Sequence, residues 1–241
     1  MNGFINEIKL NDSIFDINHI SKRKNILENN IFLIENIFHK KEILNILNRV
    51  NMFKPVSVGL NGILKDYKEG DYIGSYRRSL FNENYSNIVW NRIKNLFDPV
   101  YNFNEFSCVD WDNYNTWKPI GINPLWRFIE YKKSGSLIPH YDAPYIQNDN
   151  IRSLFTIVIY LTNNKEGTTR FLKDNSINLP YNKRNYDDKE KVANKNDIII
   201  DVEGISGNAL VFPHRILHDC GQLLNENYKH IIRTDIMFEK V

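Results

Sequence analysis

The chain has 241 residues, of which 42% are hydrophobic and 13% aromatic, and it carries a formal net charge of +2. This length suits one domain with elaborations and is sufficient to bury a substantial core. The near-neutral charge and the lack of a long Lys/Arg run argue against a nucleic-acid-binding protein. The two cysteines, Cys108 and Cys220, form neither a disulfide framework nor a zinc pattern, which fits a reducing compartment.

The first residues do not predict export or membrane insertion. Residues 1–10 mix Asn, Glu and Lys with apolar residues, unlike a signal peptide. No stretch approaches the roughly 20 apolar residues that a membrane helix requires. We therefore expect a cytoplasmic protein that does not associate with membranes.

The first half of the chain predicts a mixture of strands and helices. Residues 31–38 form an apolar run of strand length, and in residues 40–50 the apolar positions recur at the spacing of an amphipathic helix. Residues 84–97 predict a second helix, with Asn84 as its N-cap. We expect residues 1–124 to form a helical and β support region.

The second half predicts a β-rich core. Short runs rich in β-branched and aromatic residues are separated by turn-forming residues, which is typical of a sandwich, jelly roll or barrel. We expect one domain over residues 1–241, with a catalytic core at residues 125–241. Residues 174–196 are polar and charged, and they predict a mobile insertion in that core. The predicted strands are residues 125–131, 153–162, 168–172, 197–202, 209–212 and 228–238.

A pair of residues early in this core suggests a metal site. On an extended strand, residues two apart point to the same face, so His140 and Asp142 present an imidazole and a carboxylate side by side. A histidine from a distant strand, either His214 or His218, completes a 2-His-1-carboxylate triad. Such a triad leaves coordination positions open, as non-haem iron oxygenases require. On its own, a His-x-Asp pair is more often a surface feature than a metal site.

Four sequence blocks resemble the prolyl-4-hydroxylase-like branch of the Fe(II)/2-oxoglutarate-dependent dioxygenase superfamily. They occur in the order of that family, and together they are more specific than any one alone. The block that usually reads Gly-Gly-Glu-Thr reads Glu-Gly-Thr-Thr here. The blocks are residues 125–142, with LWRFIEY and the His-x-Asp pair; 159–171, with IYLT and EGTTRF; 207–221, with GNALVF and HDCG; and 229–238, KHIIRTDIMF.

The resemblance implies both a fold and a ligand set. The fold is mixed α+β but mainly β, with a double-stranded β-helix (jelly-roll, cupin-like) core and N-terminal supporting helices. The implied iron ligands are His140, Asp142 and His218. His218 is preferred to His214 because residues 218–221, His-Asp-Cys-Gly, resemble the family's His-Glu-Gly or His-Ala-Gly pattern. His214 then has a hydrogen-bonding role at the end of a strand.

The resemblance also implies a site for the cosubstrate 2-oxoglutarate, whose distal carboxylate needs a basic partner when buried. In the family this partner lies on the last strand, where Lys229 and Arg233 are both candidates. Lys229 fits best if the loop after the distal histidine is one residue longer than in the family, and the choice stays open. Tyr131 and Tyr160 are expected to donate hydroxyl hydrogen bonds to the cosubstrate, and Thr169 to line the same pocket.

The implied activity is hydroxylation of a C–H bond with O₂, coupled to oxidative decarboxylation of 2-oxoglutarate to succinate and CO₂. The resemblance also allows ascorbate as a cofactor. Family analogy favours a peptidyl, prolyl-type side chain as substrate, and a free amino acid or other small metabolite is the alternative. An alternative of another class is a metal-free binding protein on the same fold. Arg127 shares a strand face with Tyr131, so it is expected either to contact an anionic substrate group or to form a buried ion pair.

Overall fold

The computed structural model describes residues 5–7, 19–28, 30–50, 55–58, 64–65, 74–102, 116–174 and 193–241. Most of the predicted insertion therefore lies outside the described residues. The helices are α1 (Lys40–Val50) and α2 (Glu83–Ile93), and short 3₁₀ turns occur at Lys94–Leu96 and Lys195–Asp197. The strands are β1 (Ile5–Glu7), β2 (Lys22–Leu27), β3 (Ile31–Glu35), β4 (Val56–Val58), β5 (Leu64–Lys65), β6 (Ser75–Phe81), β7 (Tyr101–Asn102), β8 (Thr116–Ile122), β9 (Leu125–Lys132), β10 (Leu137–His140), β11 (Ile151–Tyr160), β12 (Asn164–Leu172), β13 (Ile198–Gly204), β14 (Ala209–Pro213), β15 (His218–Cys220) and β16 (Tyr228–Lys240).

The described strands form one large and one small sheet. The large sheet has the order β2-β3-β14-β11-β16-β9-β6-β4-β5, with β8 pairing the far end of β16 and β1 joining β6. The small sheet has the order β10-β15-β12-β13. Strands from before residue 125, including β3 and β6, hydrogen-bond directly to strands of the second half. The boundary at residue 124 stays a prediction.

The central strand β11 is buried on both faces, and its side chains alternate between two cores. Ile157 and Ile159 belong to the core beneath the helices, whereas Val158 and Tyr160 belong to the core between the two sheets. This alternation follows from the two-residue period of a strand. Every position from Arg152 to Tyr160 is buried, which agrees with the mostly apolar sequence of this strand.

The two helices cover the outer face of the large sheet. Helix α1 has the predicted bounds, which confirms that expectation. Helix α2 begins one residue earlier than predicted and ends at Ile93. The prediction that Asn84 caps it was wrong: the side chain of Asn82 accepts a hydrogen bond from the backbone N–H of Tyr85. Neither helix is long and apolar enough to cross a membrane, and the same is true of any helix in the described residues.

A buried ion pair joins the two helices. Arg92 Nη2 lies 2.8 Å from Glu42 Oε1, and the two side chains are 4% and 1% exposed. Arg92 Nη1 also donates to the carbonyl oxygen of Ile37 at 2.7 Å, and Glu42 Oε2 accepts from the backbone N–H of His39 at 2.7 Å. These hydrogen bonds satisfy groups that would otherwise be buried without partners.

Removal of one member of this pair leaves an uncompensated buried charge. We expect Glu42→Ala to lower the free energy of unfolding by roughly 3–5 kcal/mol, as measured by urea denaturation. The matched control is Asp98→Ala, which breaks the Arg23–Asp98 pair, in which the Asp98 side chain is 53% exposed. It should cost about 0–1 kcal/mol. Equal losses in both variants would contradict the structural role of the buried pair.

Candidate active site

Two short strands of the small sheet bring the two triad histidines together. Strands β10 and β15 pair in antiparallel register with His140 opposite His218, and the ring centroids lie 4.3 Å apart. Strand β10 ends at His140, so Asp142 lies in the segment that follows. The prediction that His140 and Asp142 share one strand was wrong for Asp142. Its backbone N–H donates to the carbonyl oxygen of His214 at 3.0 Å, which holds this segment in place.

The three side chains form a compact donor set. Asp142 Oδ1 lies 3.9 Å from His140 Nε2, and Oδ2 lies 3.6 Å from His218 Nε2. One ligand atom from each residue lies within 4.8 Å of the others. Ligand atoms bound to one metal at about 2.1 Å lie roughly 3.0–3.5 Å apart, so small side-chain adjustments place all three on one ion. Two imidazoles and one carboxylate match the donors that non-haem iron(II) prefers.

The hydrogen bonds of the two imidazoles leave the same ring nitrogen free on each. Nδ1 of His140 lies 2.8 Å from the carbonyl oxygen of Ile138, and Nδ1 of His218 lies 2.8 Å from that of Ile216. A carbonyl oxygen only accepts, so each Nδ1 carries the proton and each Nε2 has a free lone pair. Burial lowers the pKa of His218 to about 3, which keeps this imidazole neutral and able to bind a metal.

Asp142 is held in its ionised form. Burial by itself raises the pKa of a carboxyl group, but the guanidinium of Arg233 and the neighbouring imidazoles outweigh burial and hold the pKa of Asp142 well below its usual range. Arg233 Nη2 lies 3.0 Å from Asp142 Oδ1. The hydroxyl of Thr156 donates to Asp142 Oδ2 at 2.5 Å. Because the carboxylate is already ionised, a cation can bind to it without displacing a proton.

His214 is close to the triad but has other partners. Its Nδ1 lies 2.8 Å from the Thr156 hydroxyl and its Nε2 lies 2.9 Å from the Ser153 hydroxyl. Burial lowers the pKa of His214 to about 4. Since both ring nitrogens are engaged by hydroxyl groups, His214 orients Thr156 and is not placed to share an ion with Asp142.

The triad opens into a pocket of about 880 Å³, including its mouth, between the two sheets. Lys229, whose side chain is buried, lines the same pocket. Its amino group donates to the carbonyl oxygen of Gly167 and lies 3.4 Å from Cys220 Sγ. The rings of Tyr131 and Tyr160 flank it, with centroids 5.3 and 5.8 Å from Nζ.

The other predicted cosubstrate residues lie near Lys229, but they do not all reach the pocket surface. Tyr131 and Thr169 line the pocket. Tyr160 lies behind them and donates its hydroxyl to Thr169 Oγ1 at 3.0 Å. Burial raises the pKa of Tyr160 above its ordinary value, so this group remains a hydroxyl donor. In this arrangement Tyr160 orients Thr169 instead of facing the pocket.

Arg127 was expected either to contact an anionic substrate group or to form a buried ion pair, and in the structure it forms an ion pair. Its Nη1 lies 3.4 Å from Asp235 Oδ2, and the same carboxylate lies 3.1 Å from Arg233 Nη2 through Oδ1. Arg127 is not among the residues that line the pocket. Burial, reinforced by the nearby charge of Arg233, lowers the pKa of Arg127.

Sequence reasoning did not identify three residues of the site. Thr156 holds Asp142, Arg77 lines the pocket from β6, and Asp219 lines it beside His218. Asp219 is neutralised by Arg170, whose Nε and Nη2 donate to its two oxygens at 2.8 and 2.6 Å. Arg170 and Asp219 lie within the two family-like blocks that carry Thr169 and His218, which was a usable signal, whereas Arg77 lies outside all four blocks.

Comparisons with known proteins point to the fold. No protein-family model and no curated protein matches the chain. Among solved structures, OsALKBH1 is 12% identical with a TM-score of 0.54, over 88% of this chain and 100% of that one. HygX from Streptomyces hygroscopicus, solved with nickel and 2-oxoglutarate bound, is 10% identical with a TM-score of 0.51, over 87% and 82%. An oxidoreductase of the 2OG-Fe(II) oxygenase family from Burkholderia pseudomallei is 12% identical with a TM-score of 0.50, over 88% and 86%.

Prolyl hydroxylases are also among the matched structures, with TM-scores of 0.48 to 0.49. At these identities the likeness shows a shared fold and leaves the activity to be argued from the site. The chain therefore has the mainly β, double-stranded β-helix fold of the 2-oxoglutarate- and iron-dependent oxygenases.

Proposed function

We propose that the chain is an Fe(II)- and 2-oxoglutarate-dependent dioxygenase that hydroxylates a C–H bond and converts 2-oxoglutarate to succinate and CO₂. The observation that carries this proposal is the cluster of His140, Asp142 and His218, with both Nε2 atoms free and facing one pocket. Two imidazoles and one carboxylate occupy half of the coordination positions of an octahedral iron, which leaves positions for a chelating cosubstrate and O₂. The bound iron supplies the oxidative chemistry, and the protein positions the reactants.

Lys229 supports 2-oxoglutarate as the cosubstrate. It is 1% exposed, and its partners are a carbonyl oxygen and a thiol, with no carboxylate within ion-pair distance among the residues that the structure describes. A buried cationic side chain is strongly disfavoured without a counter-charge. The distal carboxylate of 2-oxoglutarate provides that charge, and Tyr131 and Thr169 line the same pocket.

Arg233 has a different role in this proposal. Its guanidinium lies on the carboxylates of Asp142 and Asp235, so its charge is already neutralised. We therefore assign the cosubstrate carboxylate to Lys229 and assign to Arg233 the task of fixing Asp142 in its ionised, ligating position. The metal-free binding protein is disfavoured, because the whole donor set and a buried cation in the same pocket are retained.

For the substrate, the resemblance favours a peptidyl, prolyl-type side chain, and a free amino acid or other small metabolite is the alternative. A peptide needs an open groove, whereas a metabolite needs a pocket that contains its own charge partners. Arg77 lines this pocket and pairs with no carboxylate of the described residues, which favours the second arrangement.

An anaerobic titration tests the cofactors. We expect metal-free protein that receives Fe(II) and then 2-oxoglutarate to develop the visible metal-to-ligand charge-transfer band, and His218→Ala to lose it because one of three ligands is gone. The control is His230→Ala, which removes a histidine whose Nε2 lies 3.5 Å from Glu130, outside the pocket. That variant should retain the band. A folded wild-type protein without the band would refute the proposal.

A second titration separates the two basic candidates. We expect Lys229→Met to weaken 2-oxoglutarate binding at least about thirtyfold, because a buried charge pair is lost. Arg233→Met should weaken 2-oxoglutarate binding less. It should instead reduce the affinity for the metal, because Asp142 loses the guanidinium that fixes its position. Calorimetry with Zn(II)-loaded protein measures both affinities without turnover. The opposite ranking assigns the carboxylate to Arg233.

A further inference from the structure

Arg77 is a pocket cation that none of the preceding assignments uses. It lies in the middle of β6, paired with Ile129 on β9, which in turn pairs with Ile231 on β16. All three residues line the pocket, so Arg77 faces the triad from the large sheet. The next residue, Arg78, points to the opposite face of the strand, where its Nη1 lies 3.3 Å from Glu130.

Arg77 has no counter-charge of its own. No carboxylate of the described part of the chain lies within ion-pair distance of its guanidinium, and its Nε is buried without a hydrogen-bond partner. Burial, together with the positive charges of Arg127 and Arg233, lowers the pKa of Arg77 to about 10, so it is still cationic at neutral pH. An unpaired guanidinium that faces a pocket is a binding group for an anion.

The other charged groups in and around the pocket do not neutralise Arg77. Arg127 and Arg233 share the single carboxylate of Asp235, and Arg170 neutralises Asp219. In the function proposed above, Asp142 binds the metal and Lys229 receives the distal carboxylate of the cosubstrate. The pocket therefore keeps a positive charge on the Arg77 side after metal and cosubstrate have bound.

We propose that Arg77 binds an anionic group of the substrate, a carboxylate or a phosphate, and thereby positions the substrate beside the metal. This inference rests on the proposed function and narrows its substrate to a molecule that bears its own acidic group. Free amino acids and other small acids carry such a group, and so does a peptide with a free C terminus. An uncharged internal prolyl side chain does not.

The experiment measures binding in the absence of turnover. Zn(II)- and 2-oxoglutarate-loaded protein is titrated calorimetrically with free amino acids, each paired with its primary amide, with tripeptides that have a free or an amidated C terminus, and with inorganic phosphate. We expect wild type to bind at least one acid about tenfold to a hundredfold more tightly than its amide, as a charge-assisted hydrogen bond implies. The titrant that binds, whether amino acid, tripeptide or phosphate, identifies the source of the anion.

The variants assign this preference to one residue. Arg77→Gln should abolish the preference for acid over amide, and Arg77→Lys should restore part of it. Arg78→Gln removes the same charge from the neighbouring position on the other face and should keep the preference. If wild type binds acids and amides equally, or binds no acid of the panel, or if Arg77→Gln keeps the preference, the inference is overturned.

The charge-transfer titration, run on wild type and Arg77→Gln, keeps this result separate from that of the proposed function. A wild type without the band refutes the oxygenase proposal and the inference with it. A band in both proteins, combined with no acid preference, refutes only the role of Arg77. Loss of the band in Arg77→Gln alone shows that Arg77 supports the metal or cosubstrate site, which also overturns its assignment to the substrate.

Discussion

The antiparallel pairing of β10 with β15 is the constraint on which the candidate site depends, because it places His140 directly opposite His218. Each imidazole is tied through Nδ1 to the carbonyl oxygen two residues earlier in its own chain segment, so the same local geometry occurs twice and both Nε2 atoms point into the pocket. Strand β12 supports β15 from its other side, and the rings of Phe171 and Phe212 pack against His218. This apolar surrounding is what keeps His218 neutral.

The third ligand is positioned by the other sheet. Asp142 follows β10 without belonging to a strand, and its carboxylate is held by Thr156 on β11 and Arg233 on β16. The carbonyl oxygen of His214, the residue after β14, accepts a hydrogen bond from the backbone N–H of Asp142, and the His214 ring contacts Thr156. The donor set therefore combines two histidines fixed by the small sheet with a carboxylate fixed by the large sheet. Helices α1 and α2 bury the opposite face of the large sheet, so Thr156 and Arg233 project from a rigid element.

Local sequence patterns predicted the parts of the site that depend on short-range spacing. The His-x-Asp pair and the apolar runs of β11 and β16 lie within single strands or turns, where local patterns carry information, and the family resemblance selected the distal histidine. The partner of Arg233 was not predictable in this way, because it depends on which residues face each other across β9, β11 and β16. Arg77 was missed for the same reason: β6 reaches the pocket only by pairing with β9, some 50 residues later in the chain. The cap at Asn82 was misplaced by two residues because several polar residues in a row offer an acceptor at that point.

The distribution of charge in the pocket links these features. In a region of low dielectric a cationic side chain requires a compensating negative charge. Arg127, Arg170 and Arg233 each obtain one from a protein carboxylate, and these pairs are part of the folded framework. Lys229 and Arg77 obtain none within the described residues. Both line the pocket near the paired Ile129 and Ile231: Arg77 lies beside Ile129 on β6, and Lys229 lies two residues before Ile231 on β16. In the proposed function Lys229 binds the chelating cosubstrate and Arg77 binds an acidic group of the substrate, so each unpaired cation of the pocket receives its negative charge from a bound molecule.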